Sequence, residues 1–225
     1  MTSKPEKIIK SEKEIKTTPQ KVQLGYPSFF TIYREKFRGS HWRFEIDTES
    51  YFKYKALPRE KYNGNYEHYW DFVTETEKNV GVIVDILGKE EIGSKWKKKP
   101  LETAQLLVDF VQSFPYQDRE PCYAKYPLET LCENGGNCLD LSILGASMLL
   151  YAGIESCFLD FKEHVALGIA VPGKGKFVQV NGIKYYATEI TSTEWPDHRY
   201  TDKIGVFNSV LLNKANVILM EKYRK

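Results

Sequence analysis

Helical repeats followed by antiparallel strands predict an α+β fold for this chain. Three observations carry that reading. Apolar residues recur at helical spacing after Thr74 and again after Pro100. A third run, almost wholly apolar, starts at Cys138 and stops at Gly153. Beyond it lie short strand-like runs, two of them joined by Asn181-Gly182, a dipeptide that tolerates the positive φ angles of a two-residue type I′ hairpin.

Each element has a local reason. In 26–56, Trp42, Phe44 and Ile46 alternate as one side of a strand, and Arg38-Gly39-Ser40 is placed to turn one strand into the next. Thr74 and Glu77 have capping-box spacing, Val80, Val84 and Leu87 form a buried stripe, and Gly88 stands where a C-terminal cap belongs. Pro100 suits the first position of the next helix, whose stripe is Leu101, Ala104, Leu107, Val108, Val111 and Phe114; Pro115 ends it. Gly135-Gly136-Asn137 then puts Cys138 in the first turn of a buried helix. Strands are expected over 156–161, 164–171, 177–180, 183–190 and 216–220.

The chain divides into a charged tail (1–23), an N-terminal hairpin and helix packed on the core (24–100), and the core itself (101–225). Six lysines and three glutamates in residues 1–22 carry a net +3 of the chain's +2, leaving about −1 for the rest. The tail is too polar to bury, so disorder is expected there. A near-neutral folded part gives no electrostatic reason to bind nucleic acid. Lys95 to Lys99, interrupted by Trp96, reads as a solvated loop before a helix. No apolar run approaches the roughly 20 residues of a membrane span, and the N-terminus lacks a signal-peptide core, so a cytoplasmic location is expected. The four cysteines, 122, 132, 138 and 157, contain no CxxC pair, which argues against a structural zinc site. No metal or cofactor is expected.

The chemistry centres on Cys138. A helix N-terminus favours a thiolate through unpaired backbone N–H groups and the helix dipole. The two glycines before it allow close approach of a substrate backbone. A thiolate needs an imidazole partner, and His164 opens the second strand after the helix. A third group should hold that imidazole, and Glu189 lies near the end of the next long strand. Asp140 reads as structural, since its charge opposes thiolate formation. Gln112 is a candidate oxyanion-hole donor beside the Cys138 N–H. Cys132 reads as a free thiol, with a regulatory disulfide to Cys138 as the alternative. His41, His68 and His198 read as surface residues.

Gly-Gly-Asn-Cys-Leu-Asp at 135–140, His-Val-Ala-Leu-Gly at 164–168 and Tyr-Tyr-Ala-Thr-Glu-Ile-Thr at 185–191 together resemble the transglutaminase-like superfamily of the papain-like fold, in particular its archaeal members. The resemblance covers roughly 105–192 and includes Phe110 to Tyr116. Two positions depart from the pattern: Asn137 and Glu189 stand where the family often has Asp. The resemblance implies a Cys138 helix packed on an antiparallel sheet that bears His164 and Glu189. It implies thiol-dependent acyl transfer on an amide bond of a protein or peptide. A cysteine peptidase or amidase is expected in preference to a crosslinking transamidase, because no stretch of the sequence stands out as dedicated to keeping water out and letting a lysine-bearing partner in. The alternatives are a non-catalytic protein-binding module that keeps the fold, and a redox protein using Cys132 and Cys138. His164 begins its strand and Glu189 ends another, so they meet only if those strands run antiparallel and adjacent. The expected solution is one long strand whose first half pairs with 177–180 and whose second half pairs with 164–168.

Overall fold

The computed structural model of the chain describes residues 7–8, 28–59, 66–74, 77–118, 123–161, 164–191, 203–207 and 212–220. Of the expected tail only Lys7–Ile8 (β1) is among them, a two-residue strand whose partners are Trp42 and Arg43, in parallel. The rest of 1–23, with Cys122 and His198, lies outside the described residues.

Phe29–Phe37 (β2) and Ser40–Asp47 (β3) form the expected antiparallel hairpin. Arg38 and Gly39 turn it, both at positive φ. Trp42, Phe44 and Ile46 are buried together, and Phe37 and Phe44 meet the Phe110 ring edge-on. The same buried face holds Arg34, which the alternation does not foretell. Its guanidinium lies 3.2 Å over the Phe114 ring, and burial lowers its pKa to about 9.

Thr48–Lys55 (α1) is a helix that the sequence reading does not anticipate. Asp47 caps it by accepting from the Ser50 amide at 2.7 Å. A 3-10 turn at Tyr66–Phe72 follows, and its Trp70 donates to the Ile218 carbonyl.

Lys78–Glu91 (α2) departs from expectation at both ends. Its cap is Glu77, whose carboxylate accepts from Val80 N at 2.7 Å, rather than Thr74. Gly88 lies inside the helix, and the positive-φ residue beyond the end is Gly93. Gly88 is glycine for a tertiary reason: a Cβ there would stand 2.4 Å from the Trp96 ring. Helix propensity favours Gly88→Ala by about 1 kcal/mol. Overpacking, which costs about 1–3 kcal/mol, is expected to win. Urea unfolding should therefore show a lower midpoint; an unchanged or higher one would show that the Trp96 ring gives way.

Pro100–Gln112 (α3) starts on its proline as expected. Pro127–Cys132 (α4) is a second unanticipated helix, with Pro127 in its first turn and the Glu129 carboxylate accepting from Tyr126 N at 2.9 Å. Cys138–Tyr151 (α5) is buried along nearly its whole length. A helix apolar all round must be covered all round; α2, α3 and α4 pack on it, and so does the sheet that follows.

That sheet contains Ser156–Asp160 (β4), Val165–Ile169 (β5), Phe177–Val180 (β6), Ile183–Thr188 (β7) and Asn216–Ile218 (β8). Four of the five strands are shorter than expected, with β6 as expected. The order is β6-β7-β5-β4-β8, every pair antiparallel. The β6–β7 turn has Asn181 and Gly182 at positive φ. β7 divides as expected: Ile183 to Tyr186 pair with β6, and Tyr186 to Thr188 pair with β5. The architecture is α+β with an antiparallel sheet. Among the described residues no helix is long and apolar enough to cross a membrane.

Candidate active site

Cys138 is the first residue of α5 and half-buried. The turn before it is locked by a reciprocal cap. Asn137 Oδ1 accepts from Asp140 N, and Asp140 Oδ2 accepts from Asn137 N, each at 3.1 Å. Asp140 Oδ1 takes a third N–H, from Lys125, at 2.8 Å. Asp140 is thus a structural carboxylate, as expected.

The two glycines make room for the protein's own chain. Gly135 has φ +139°, and a Cβ there would lie 2.4 Å from the Pro115 carbonyl oxygen. A Cβ on Gly136 would lie 2.5 Å from the Asp140 Cβ. Their absence lets the segment around Tyr116 pair in parallel with Gly136, and Gln117 N donates to the Gly136 carbonyl at 3.0 Å.

β5 and β7 bring the other two residues together. His164 directly precedes β5, and Glu189 directly follows β7. Their antiparallel pairing puts the start of one beside the end of the other. His164 Nε2 lies 2.8 Å from Glu189 Oε2. The other carboxylate oxygen accepts from Ile190 N at 2.9 Å, Thr191 N at 2.9 Å and Thr191 Oγ1 at 2.7 Å. Thr191 therefore supports Glu189. The Cys138 thiol is near enough to the imidazole to help raise its pKa.

The electrostatics follow from this arrangement. Burial opposes the charged form of His164, but its interactions with Cys138 and Glu189 outweigh it and lift the pKa to about 10. Burial likewise opposes a charged Glu189; His164 and the Thr191 donors outweigh that and hold its carboxyl below the usual value. The pair therefore favours carboxylate and imidazolium. Cys132 and Cys157 have the opposite bias. Burial, then the Glu133 charge, pushes the Cys132 thiol up to about 12, and burial also raises Cys157. Both are free thiols, as is Cys138.

Gln112 commits one N–H of its side-chain amide to the Glu189 carbonyl at 2.9 Å. That bond ties α3 to the end of β7 and leaves the amide's second N–H uncommitted by it. Three further residues border the site without having been singled out from sequence. Phe161 stacks on the His164 ring, with centroids 6.3 Å apart and planes 22° apart, and Phe207 stacks on Phe161. Burial raises the Tyr116 hydroxyl, and so does the negative charge of nearby Cys138. Their common signal is an aromatic next to a reactive residue or its flanking segment, which is too frequent in this chain to select them. His41 and His68 are exposed, as expected. Trp96 in the lysine-rich segment is buried, while Lys97 pairs with Asp85. Among the described residues no group of three or more His, Cys, Asp or Glu side chains is placed to hold a metal ion.

Comparison with protein-family models, curated proteins and solved structures finds no match to this chain.

Proposed function

We propose that this chain is a transglutaminase-like cysteine enzyme with a papain-like core, catalysing acyl transfer from an amide bond of a peptide or protein. The observation that carries this reading is a buried, thrice-supported carboxylate 2.8 Å from one nitrogen of an imidazole whose pKa is also raised by the nearby Cys138 thiol at the start of α5. A structural histidine needs one partner; this set gives each member a task.

In the proposed reaction the Cys138 thiolate attacks the amide carbonyl carbon. The developing oxyanion lies near the α5 N-terminus, where N–H groups of the first turn are left over by helix geometry. The His164 imidazolium donates its Nδ1 proton to the leaving nitrogen as the C–N bond breaks. A Cys138 thioester and a free amine result. The neutral imidazole then takes a proton from water or from an incoming amine, which attacks the thioester and regenerates the thiol. Glu189 keeps the ring oriented and balances its charge. Hydrolysis is the outcome we favour.

A peptide library assayed with and without an added primary amine tests the reading. New N-termini are expected in both conditions. Amine adducts at glutamine would redirect the proposal to transamidation. A thiol-directed probe mapped by mass spectrometry should label Cys138 first without reductant. Absence of both turnover and Cys138 labelling would overturn the enzyme reading in favour of a binding module.

A further inference from the structure

Lys125 is the one buried lysine among the described residues of a lysine-rich chain, and nothing in the proposed chemistry uses it. Burying an ammonium costs several kcal/mol unless its donors are satisfied. Its Nζ donates to the Gly135 carbonyl at 2.9 Å and to Gln117 Oε1 at 3.1 Å, and it pairs with Glu133 Oε2 at 3.0 Å. Its own backbone N donates to Asp140. One residue thus holds both ends of the 135–140 turn on which Cys138 sits.

That turn needs external support. Consecutive glycines have the widest conformational freedom and no side chains to anchor them. Two adjacent carbonyls are gripped instead: Gly135 O by Lys125 and Gly136 O by Gln117 N.

The grip extends into the N-terminal part of the chain. Glu133 Oε1 accepts from Tyr51 Oη at 2.9 Å and Lys55 Nζ at 2.7 Å, both on α1. Burial opposes the charge on Glu133, but Lys55, Lys125 and Tyr51 outweigh it and hold the carboxyl at about 2. Arg59 pairs with the fully buried Glu129, and Arg34 donates to Asn134 Oδ1 at 2.7 Å. Four side chains from 34–59 therefore converge on 129–134, the segment that leads into the Gly-Gly turn.

We propose that Lys125 is a positioning residue for the Cys138 turn, and that Glu133 links it to α1, so that the N-terminal hairpin and α1 set the attack geometry without touching the reacting atoms. The proposal rests on Cys138 being the nucleophile. Misplacing reacting groups by about 1 Å costs on the order of a hundredfold in rate, so a slack turn should show in reactivity before it shows in loss of fold.

The test uses the full chain with Lys125→Met, which keeps the stem and removes the charge, and Glu133→Gln, which weakens the link and leaves Lys125 in place. The second-order rate of iodoacetamide labelling at Cys138 is measured near neutral pH, well below each variant's melting temperature, alongside turnover of a cleaved peptide. Lys125→Met is expected to slow Cys138 labelling and lower kcat by about tenfold or more with KM little changed, and Glu133→Gln to do the same by about threefold. A merely structural lysine would lower the melting temperature and leave the labelling rate of the folded protein within about twofold of wild type; that result overturns the proposal. Should Lys125→Met fail to fold, unchanged labelling in Glu133→Gln overturns it alone. Preferential labelling of another thiol in the wild-type protein is a different failure: it removes the nucleophile assignment, and this proposal with it.

Discussion

Replacing Cys138 by alanine is expected to lower amide cleavage or transamidation by about a thousandfold or more, the scale seen when a triad nucleophile is removed. The fold should survive. Cys138 is half-buried, and the turn beneath it is held by the Asn137–Asp140 cap and by Lys125, none of which uses the thiol. Alanine is also the best helix former. The melting temperature should therefore change little while turnover disappears. Activity that persists in Cys138→Ala would show that another group performs the reaction. A collapse of the melting temperature would show instead that the thiol–imidazole contact is part of the core.

Glu189→Gln is the second large effect, and its origin is the proton on His164. The glutamine oxygen can take the place of Oε1, where it keeps the donors from Ile190 and Thr191. Its NH2 group then falls opposite His164 Nε2, where the carboxylate oxygen was. Two donors cannot face each other, so Nε2 must become an acceptor and the ring proton must sit on Nδ1, the nitrogen that the proposed mechanism turns to Cys138. A neutral ring in that tautomer cannot act as base toward the thiol. Turnover should fall by about a hundredfold or more.

The pH dependence has a defined sign. His164 is raised from 6.5 to about 10, so its charged form stabilises the fold fully below 6.5. That contribution declines with rising pH and is gone once pH passes about 10. In Glu189→Gln burial is no longer outweighed to the same degree, so the ring should titrate below its wild-type value. Imidazole NMR shifts followed from pH 5 to 11 check this directly. A His164 titration that stays near 10 in Glu189→Gln would assign the shift to Cys138 and not to the carboxylate.

Patterns that span a few residues were legible in the sequence. Alternation at Trp42, Phe44 and Ile46 marked the buried face of β3. Asn181-Gly182 marked the β6–β7 turn, and Pro100 the start of α3. Gly-Gly-Asn before an apolar run put Cys138 at the N-terminus of α5. The reach from His164 to Glu189 was legible too, because strand direction and the hairpin left a single way for two ends 25 residues apart to meet. Each of these follows from backbone periodicity, a cap or a turn, which neighbouring residues impose. What the tertiary structure alone decided lies in side chains that meet across longer separations. Gly88 looks like a helix end until the Trp96 ring is seen where its side chain would be. Gln112 looks free to face a substrate until its amide is found on the Glu189 carbonyl, 77 residues away. Lys125 and Arg34 look like ordinary surface cations. Only packing shows that one holds the Gly135 carbonyl and the other Asn134, 100 residues from itself. Desolvation makes such contacts strong, and desolvation is a property of the assembled core that no short stretch of sequence contains.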